Sequence, residues 1–133
     1  MDDRDLAATQ REVAALWVKT ARDVGGWSFD YSEASVTLLD EVIDDLWDPD
    51  QPPGEEKLDS LTKLIGAYLG EVMIRNQGGR WSWSPERQMP ALLVGQTRWA
   101  YVLDKVYKRQ VHGAEHSLVQ FYEFYRSRWV PGT

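Results

Sequence analysis

Few residues in this chain have the types and spacing to do chemistry. His112-Gly113-Ala114-Glu115-His116 reads H-x-x-E-H, the pattern of inverted zinc metallopeptidases. In those enzymes both histidines face one way on a helix and the glutamate activates a zinc-bound water. Here Gly113 stands where that helix should break, which would scatter the histidines. Only 17 residues follow His116, and Glu123 is the sole acidic side chain among them. The expectation is a loop between two helices, carrying surface histidines and no metal. Asp48-Pro49-Asp50 with Gly54 hints at a calcium loop. An EF-hand needs an oxygen ligand at its fifth position and glycine at its sixth, and Pro52 and Pro53 stand there instead. Carboxylate-bridged di-iron bundles need E-x-x-H pairs, but Arg109 and Gly113 precede the two histidines by three. There is no cysteine, which removes thiolate zinc sites, iron–sulfur clusters and thiol nucleophiles. Neither G-x-S-x-G, a Walker loop nor G-x-G-x-x-G occurs. No cofactor is expected, and the balance leans against an enzyme.

Glu71 is the acid with the most unusual setting, because apolar residues surround it in sequence. Its plainest use is an i,i+4 ion pair with Arg75, extended by Arg80. The alternative is a buried carboxylate in a pocket between a hairpin and the central helix, lined by Tyr68, Arg80, Trp81 and Trp83. Seven tryptophans offer anchors for a core or an interface. Trp17, Trp47 and Trp99 fall on apolar helical faces and are expected in the core. Trp81 and Trp83 share one strand face and Trp129 lies near the end. Exposed, those three would mark a binding surface.

Charge separates along the chain. Residues 1–79 hold 17 acids and 7 bases, and residues 80–133 hold 4 acids and 8 bases, for a net −6. An acidic protein is repelled by phosphate backbones and anionic bilayers, so nucleic acid and membrane are poor partners. Arg80, Arg87 and Arg98 beside the tryptophans could stack single strands, but the overall charge opposes that use. The acids crowd at Asp40, Glu41, Asp44, Asp45, Asp48, Asp50, Glu55, Glu56 and Asp59, opposed only by Lys57. Such a run is ordinarily a solvated face. Its sharper reading is a docking patch for a protein with a basic surface, centred on Asp40, Asp44, Asp45 and Asp48. The basic second half could be that partner within the chain or in a homodimer.

The elements that must position these residues follow from periodicity. Leu6, Val13, Leu16, Trp17, Ala21 and Val24 predict a helix over 4–24, ended by Gly25-Gly26. A second helix opens at Asp30-Tyr31-Ser32-Glu33, capped by Asp30 with Glu33 or by Ser32. It carries Val36, Leu39, Val42, Ile43, Leu46 and Trp47 to the Asp48–Gly54 breaker. A third, over about 55–77, is apolar nearly all round and should run through the middle of the domain. Its Gly66 and Gly70 predict close approach of another backbone. Trp81-Ser82-Trp83-Ser84 and Ala91–Val94 predict a two-stranded hairpin about the Pro85–Gln88 turn. Helical spacing returns from Trp99 to Tyr107 and from Ala114 to Trp129, closed by Pro131-Gly132.

Several of these segments resemble a group of uncharacterised bacterial domains. The carriers are Asp30-Tyr31-Ser32, the run Leu64-Ile65-Gly66-Ala67-Tyr68-Leu69-Gly70-Glu71-Val72-Met73 with Arg75-Asn76-Gln77-Gly78-Gly79-Arg80-Trp81, and Ser117-Leu118 with Phe121-Tyr122. The similarity spans about residues 27–125, with the Gly66-to-Trp81 segment its most specific part. It implies a fold-level grouping and transfers no catalytic residue.

The expectation is one α+β domain over 1–133, mainly helical, with about five helices and a short hairpin packed on the central helix. No basic start with an apolar run and no stretch of about 18 apolar residues occurs, and ten arginines to five lysines suggest a GC-rich bacterial source. A cytoplasmic, non-enzymatic, protein-binding role follows, of an inhibitor or immunity kind by loose analogy. The alternative is a small-molecule binder or minor enzyme using the pocket near Glu71.

Overall fold

The computed structural model describes residues 2–48 and 50–128, without the side chains of Ser127 and Arg128. It has five helices: α1 (Asp3–Gly25), α2 (Ala34–Leu46), α3 (Glu55–Asn76), α4 (Val102–His112) and α5 (Leu118–Arg128). Three strands lie between α3 and α4: β1 (Arg80–Ser84), β2 (Met89–Val94) and β3 (Arg98–Ala100). The fold is mainly helical α+β, as expected, but the sheet has three strands instead of two. β1 pairs antiparallel with β2 and β2 with β3. The third strand takes Trp99 out of the helix expected for it. The chain turns back at Gly95, pairs 98–100 with 92–94, and only then starts α4.

α1 begins where Asp2 accepts a hydrogen bond from the Asp5 N–H at 2.9 Å. It ends where Gly26 takes a left-handed φ of 70°. α2 is opened by Ser32, whose Oγ accepts from the Ser35 N–H at 3.2 Å. Asp30 accepts instead from the Ser32 N–H, an Asx turn leading into the helix. α3 is the central element. Residues 65–73 form an unbroken buried run, because α1, α4 and the sheet cover it from different sides. Such a helix needs apolar residues all round.

The paired glycines of α3 have two different neighbours. A Cβ at Gly66 would lie 3.0 Å from Leu103 Cγ and 3.3 Å from its Cα, so α4 makes the expected close approach there. At Gly70 the neighbour is no backbone but the indole of Trp81, which fills the space a Cβ would occupy. Trp81 thereby keys the sheet onto α3. Trp17, Phe29 and Tyr68 extend the core in edge-to-face contacts, with centroids 5.5 and 5.1 Å apart. The last helix starts at Leu118, later than periodicity indicated, because Ala114–His116 form a separate single turn of 3-10 helix. The expected helical continuation to Trp129, its stop at Pro131-Gly132 and the exposure of Trp129 lie outside the described residues.

Candidate functional site

Three regions hold the residues singled out by sequence: the α3–sheet junction, the α2 acidic stretch and the α4–α5 connection.

At the α3–sheet junction Glu71 and Trp81 are brought together, but as core, while Tyr68 faces the Phe29–Ser35 segment instead. Glu71 is 4% exposed and Tyr68 wholly buried. Trp81 Nε1 donates to Glu71 Oε2 at 3.0 Å, and Arg75 Nη2 stands 3.7 Å from the other oxygen. The i,i+4 ion pair is therefore present, but indole, not Arg80, completes it; Arg80 is exposed. The Tyr68 hydroxyl accepts from the Tyr31 N–H at 2.8 Å and donates to Ser35 Oγ at 2.7 Å. Burial raises its pKa, partly opposed by the Ser35 hydrogen bond. Asn76 donates to the Tyr31 carbonyl, and the Arg75 guanidinium lies 3.6 Å from the Tyr31 ring centroid. These contacts hold Tyr31 at a φ of 65°, a conformation a tyrosine rarely adopts. Tyr68 and Glu71 thus anchor the Asp30–Ser32 turn and the sheet to α3. The volume expected for a pocket at Glu71 is occupied by the Trp81 ring.

Trp83 departs from this cluster. It is 45% exposed and with Leu6, Thr9, Gln10 and Pro90 lines a cleft of about 470 Å³ between α1 and the sheet. Gln10 is 92% buried there.

The acidic stretch divides by helical phase. Asp40 points inward. Its Oδ1 accepts from Arg109 Nε at 2.9 Å and the Leu118 N–H at 3.0 Å. Its Oδ2 accepts from Ser117 Oγ at 3.2 Å and the Val119 N–H at 3.1 Å. A residue of α2 thus caps the N-terminus of α5, where free N–H groups and the helix dipole favour a carboxylate. Arg109, only 3% exposed, also donates to Asp44 Oδ1 at 2.7 Å and to the Asp40 carbonyl. Burial disfavours its charge, but the Asp44 and Asp40 hydrogen bonds outweigh it and raise its pKa. Asp40 therefore leaves the predicted docking patch, because its lone pairs are already used. Asp44 is shared, with its side chain 64% exposed. Asp45, Asp48, Glu41, Asp50, Glu55, Glu56 and Asp59 face solvent.

Trp47 lies among them and corrects a second expectation. It is 37% exposed instead of buried, because α2 ends at Leu46 and Trp47 is already extended. With Ile43, Leu46, Pro53, Leu61, Ile65 and Gln110 it lines a shallow slot where α2 meets α3. Periodicity assigned it to the helix face and could not see that helix end.

At the α4–α5 connection Gly113, at a φ of 88°, ends α4 as expected. It does not scatter the histidines: the His112 and His116 rings stand 5.5 Å apart. His116 Nδ1 is 3.5 Å from Lys105 Nζ, so the ring meets an ammonium. No group of three or more histidines, aspartates and glutamates among the described residues is placed to hold a metal ion. Sequence reading missed the surroundings. Tyr101, Asp104, Lys105, Lys108, His116, Phe121 and Tyr125 line a cleft of about 290 Å³. The signal available was Lys105 and Lys108 in the basic half, one face of a helix with Tyr101.

No helix of the described residues is long and apolar enough to cross a membrane. Comparisons with protein-family models, curated proteins and solved structures find no match to this chain.

Proposed function

We propose that this protein is a non-enzymatic binding module that docks a basic segment of another protein where α2 meets α3. The observation that supports this reading is Trp47. A half-exposed indole beside an apolar slot, with Asp44, Asp45 and Asp48 on the adjoining turn and Glu55 and Glu56 opening α3, suits an arginine- or lysine-bearing surface. The ring face attracts a cation and the carboxylates steer the encounter. An inhibitor- or immunity-like role in the cytoplasm, covering a basic surface of a second protein, is consistent with that chemistry.

The test is binding by wild type and by a Trp47→Ala/Asp45→Asn/Asp48→Asn variant, which leaves Asp40, Asp44 and Arg109 intact. A partner captured by wild type, cross-linked within residues 41–59 and lost by the variant, supports the proposal. Retention by both refutes it. Sedimentation of the chain alone distinguishes a homodimer, in which the basic second half of another copy would be the occupant.

The Trp83 cleft favours a second reading, small-molecule binding. It lies between the sheet and α1 instead of at Glu71, and the buried Gln10 amide lines it. Saturable ligand-induced quenching lost in Trp83→Leu would support that reading, and its absence across a neutral aromatic library would end it.

A further inference from the structure

The cleft between α4 and α5 has a charge pattern that nothing inside the fold completes. Its single carboxylate, Asp104, is already shared by Lys108 Nζ at 3.0 Å and Arg87 Nη1 at 3.4 Å. Lys105 has no carboxylate within ion-pair distance among the described residues. Among the described residues its ammonium meets His116 Nδ1, at 3.5 Å. Burial, then the neighbouring Lys108, lowers its pKa, with Asp40 and Asp104 opposing. Three cations therefore face one anion in a protein whose net charge is −6.

The remaining walls are rings. Tyr101, Phe121 and Tyr125 line the cleft. The Arg87 guanidinium sits 3.9 Å from the Tyr101 centroid, and the Trp99 ring stacks with Tyr101 at a centroid distance of 6.2 Å. Tyr125 is fixed by donating to the Trp99 carbonyl at 2.9 Å, and Phe121 packs on it with centroids 5.0 Å apart. Arg87, Trp99 and the Phe121–Tyr125 contact thus hold these rings in place. A volume of about 290 Å³ lies just below the roughly 300–1,000 Å³ usual for ligand clefts, which suits a small ligand.

We infer that this cleft binds a small organic anion, a carboxylate or phosphate ester whose acidic head meets Lys105 and Lys108 and whose flat ring lies among Tyr101, Phe121 and Tyr125. The anion would supply the counter-charge that Lys105 lacks. The ring requirement separates it from a simple ion, because the aromatic walls contribute nothing to inorganic phosphate. This site is independent of the acidic docking edge, which has the opposite sign and involves other elements.

The experiment is a two-dimensional NMR titration of the full chain with benzoate, phenyl phosphate, benzyl alcohol and inorganic phosphate. The expected result is saturable shifts at Lys105, Ser117 and the Trp99 indole N–H with benzoate or phenyl phosphate. Whichever binds more tightly identifies the preferred head group. Inorganic phosphate and benzyl alcohol should each bind at least about tenfold more weakly. Lys105→Gln should weaken the organic anion by about tenfold, with Lys105→Arg and the exposed-site control Lys19→Gln close to wild type. Equal binding of the alcohol, equal binding of inorganic phosphate, or no saturation by about 10 mM would each overturn the inference. So would full affinity in Lys105→Gln. If that variant does not fold, the four-compound series on wild type still decides.

Discussion

Replacing Asp40 by asparagine should separate the folding role of this aspartate from the docking role of its neighbours. The carboxylate accepts four hydrogen bonds, two on each oxygen. An amide keeps one acceptor oxygen and turns a donor toward the other pair. Whichever way it rotates, two donors lose their partner. Either Arg109 Nε and the Leu118 N–H, or Ser117 Oγ and the Val119 N–H, then face an N–H₂ group. Hydrogen bonds to a charged group contribute about 1.5–3 kcal/mol each. Arg109 is 3% exposed and keeps only the solvent-facing Asp44 as counter-ion. Breaking a buried pair by removing one partner costs about 3–5 kcal/mol. The two routes agree on a loss of about 3–5 kcal/mol, a large part of the roughly 5–15 kcal/mol that holds a domain folded.

The assay is urea unfolding followed by far-ultraviolet circular dichroism. With a slope near 2 kcal/mol/M, the midpoint of Asp40→Asn should fall by roughly 2 M. Asp45→Asn, one helical step out of phase and solvent-exposed, should leave the midpoint unchanged. Amide exchange at Leu118 and Val119 should quicken in the Asp40 variant, because their N–H groups lose a capping acceptor. A loss below about 1 kcal/mol would refute the argument. It would mean that water or a rotated Ser117 replaces the carboxylate at little cost, and that Asp40 could return to the docking surface.

Gly70→Ala puts a methyl into the Trp81 ring. Overpacking of about 1–3 kcal/mol opposes a helix-propensity gain of about 1 kcal/mol, so the variant should be less stable and its near-ultraviolet tryptophan signal altered; unchanged stability would show that the sheet can step back. A Trp81→Phe and Glu71→Met double-mutant cycle should return a coupling of about 1.5–3 kcal/mol for the buried indole–carboxylate bond, and additivity within about 0.5 kcal/mol would sink that assignment. Burial raises the Tyr31, Tyr68 and Tyr125 hydroxyls and pushes Tyr122 up to about 12. The folded state therefore holds these protons above pH 10 while the unfolded chain releases them, so their stabilisation is complete below pH 10 and lost as pH rises from 10 through 12. Tyr122 alone contributes a slope of up to about 1.4 kcal/mol per pH unit in that window, and flat stability from pH 10 to 12 would contradict the burial of these groups.

The legible part of the fold was the part written in local periodicity. α1, α2 and α3 begin and end within a residue or two of the positions that caps, glycines and the Asp48–Gly54 breaker dictate. β3 was not legible, because Arg98-Trp99-Ala100 is too short for an alternation to register. Its strand character comes from pairing with residues 92–94 across the turn at Gly95. The start of α5 was misplaced for a related reason. Ser117 caps it locally, its Oγ accepting from the Gln120 N–H at 3.2 Å, but the Leu118 and Val119 N–H groups are taken by Asp40, 78 positions away from Leu118, and no local pattern encodes an acceptor supplied by another helix.

The site residues were sorted by a rule that sequence carries only in part. Glu71 and Trp81 meet at one junction, while Tyr68 turns to the Phe29–Ser35 segment. Whether a junction is a pocket depends on volume, and Gly70 beside Trp81 decides it: the missing Cβ lets the ring close the gap. The acidic run was ambiguous in the same way. Asp40, Asp44 and Asp45 look alike in sequence, but residues four apart share a helix face and the next residue does not. Asp40 and Asp44 therefore turn toward Arg109, and Asp45 turns away. The separation of acidic first half from basic second half is thus partly an internal attraction, satisfied at Arg109. What it leaves over are two surfaces of opposite sign: carboxylates around Trp47, and the ammonium groups of Lys105 and Lys108 among tyrosines. A fold that had neutralised its charges completely would present neither, so these residual charges are where binding should be sought first.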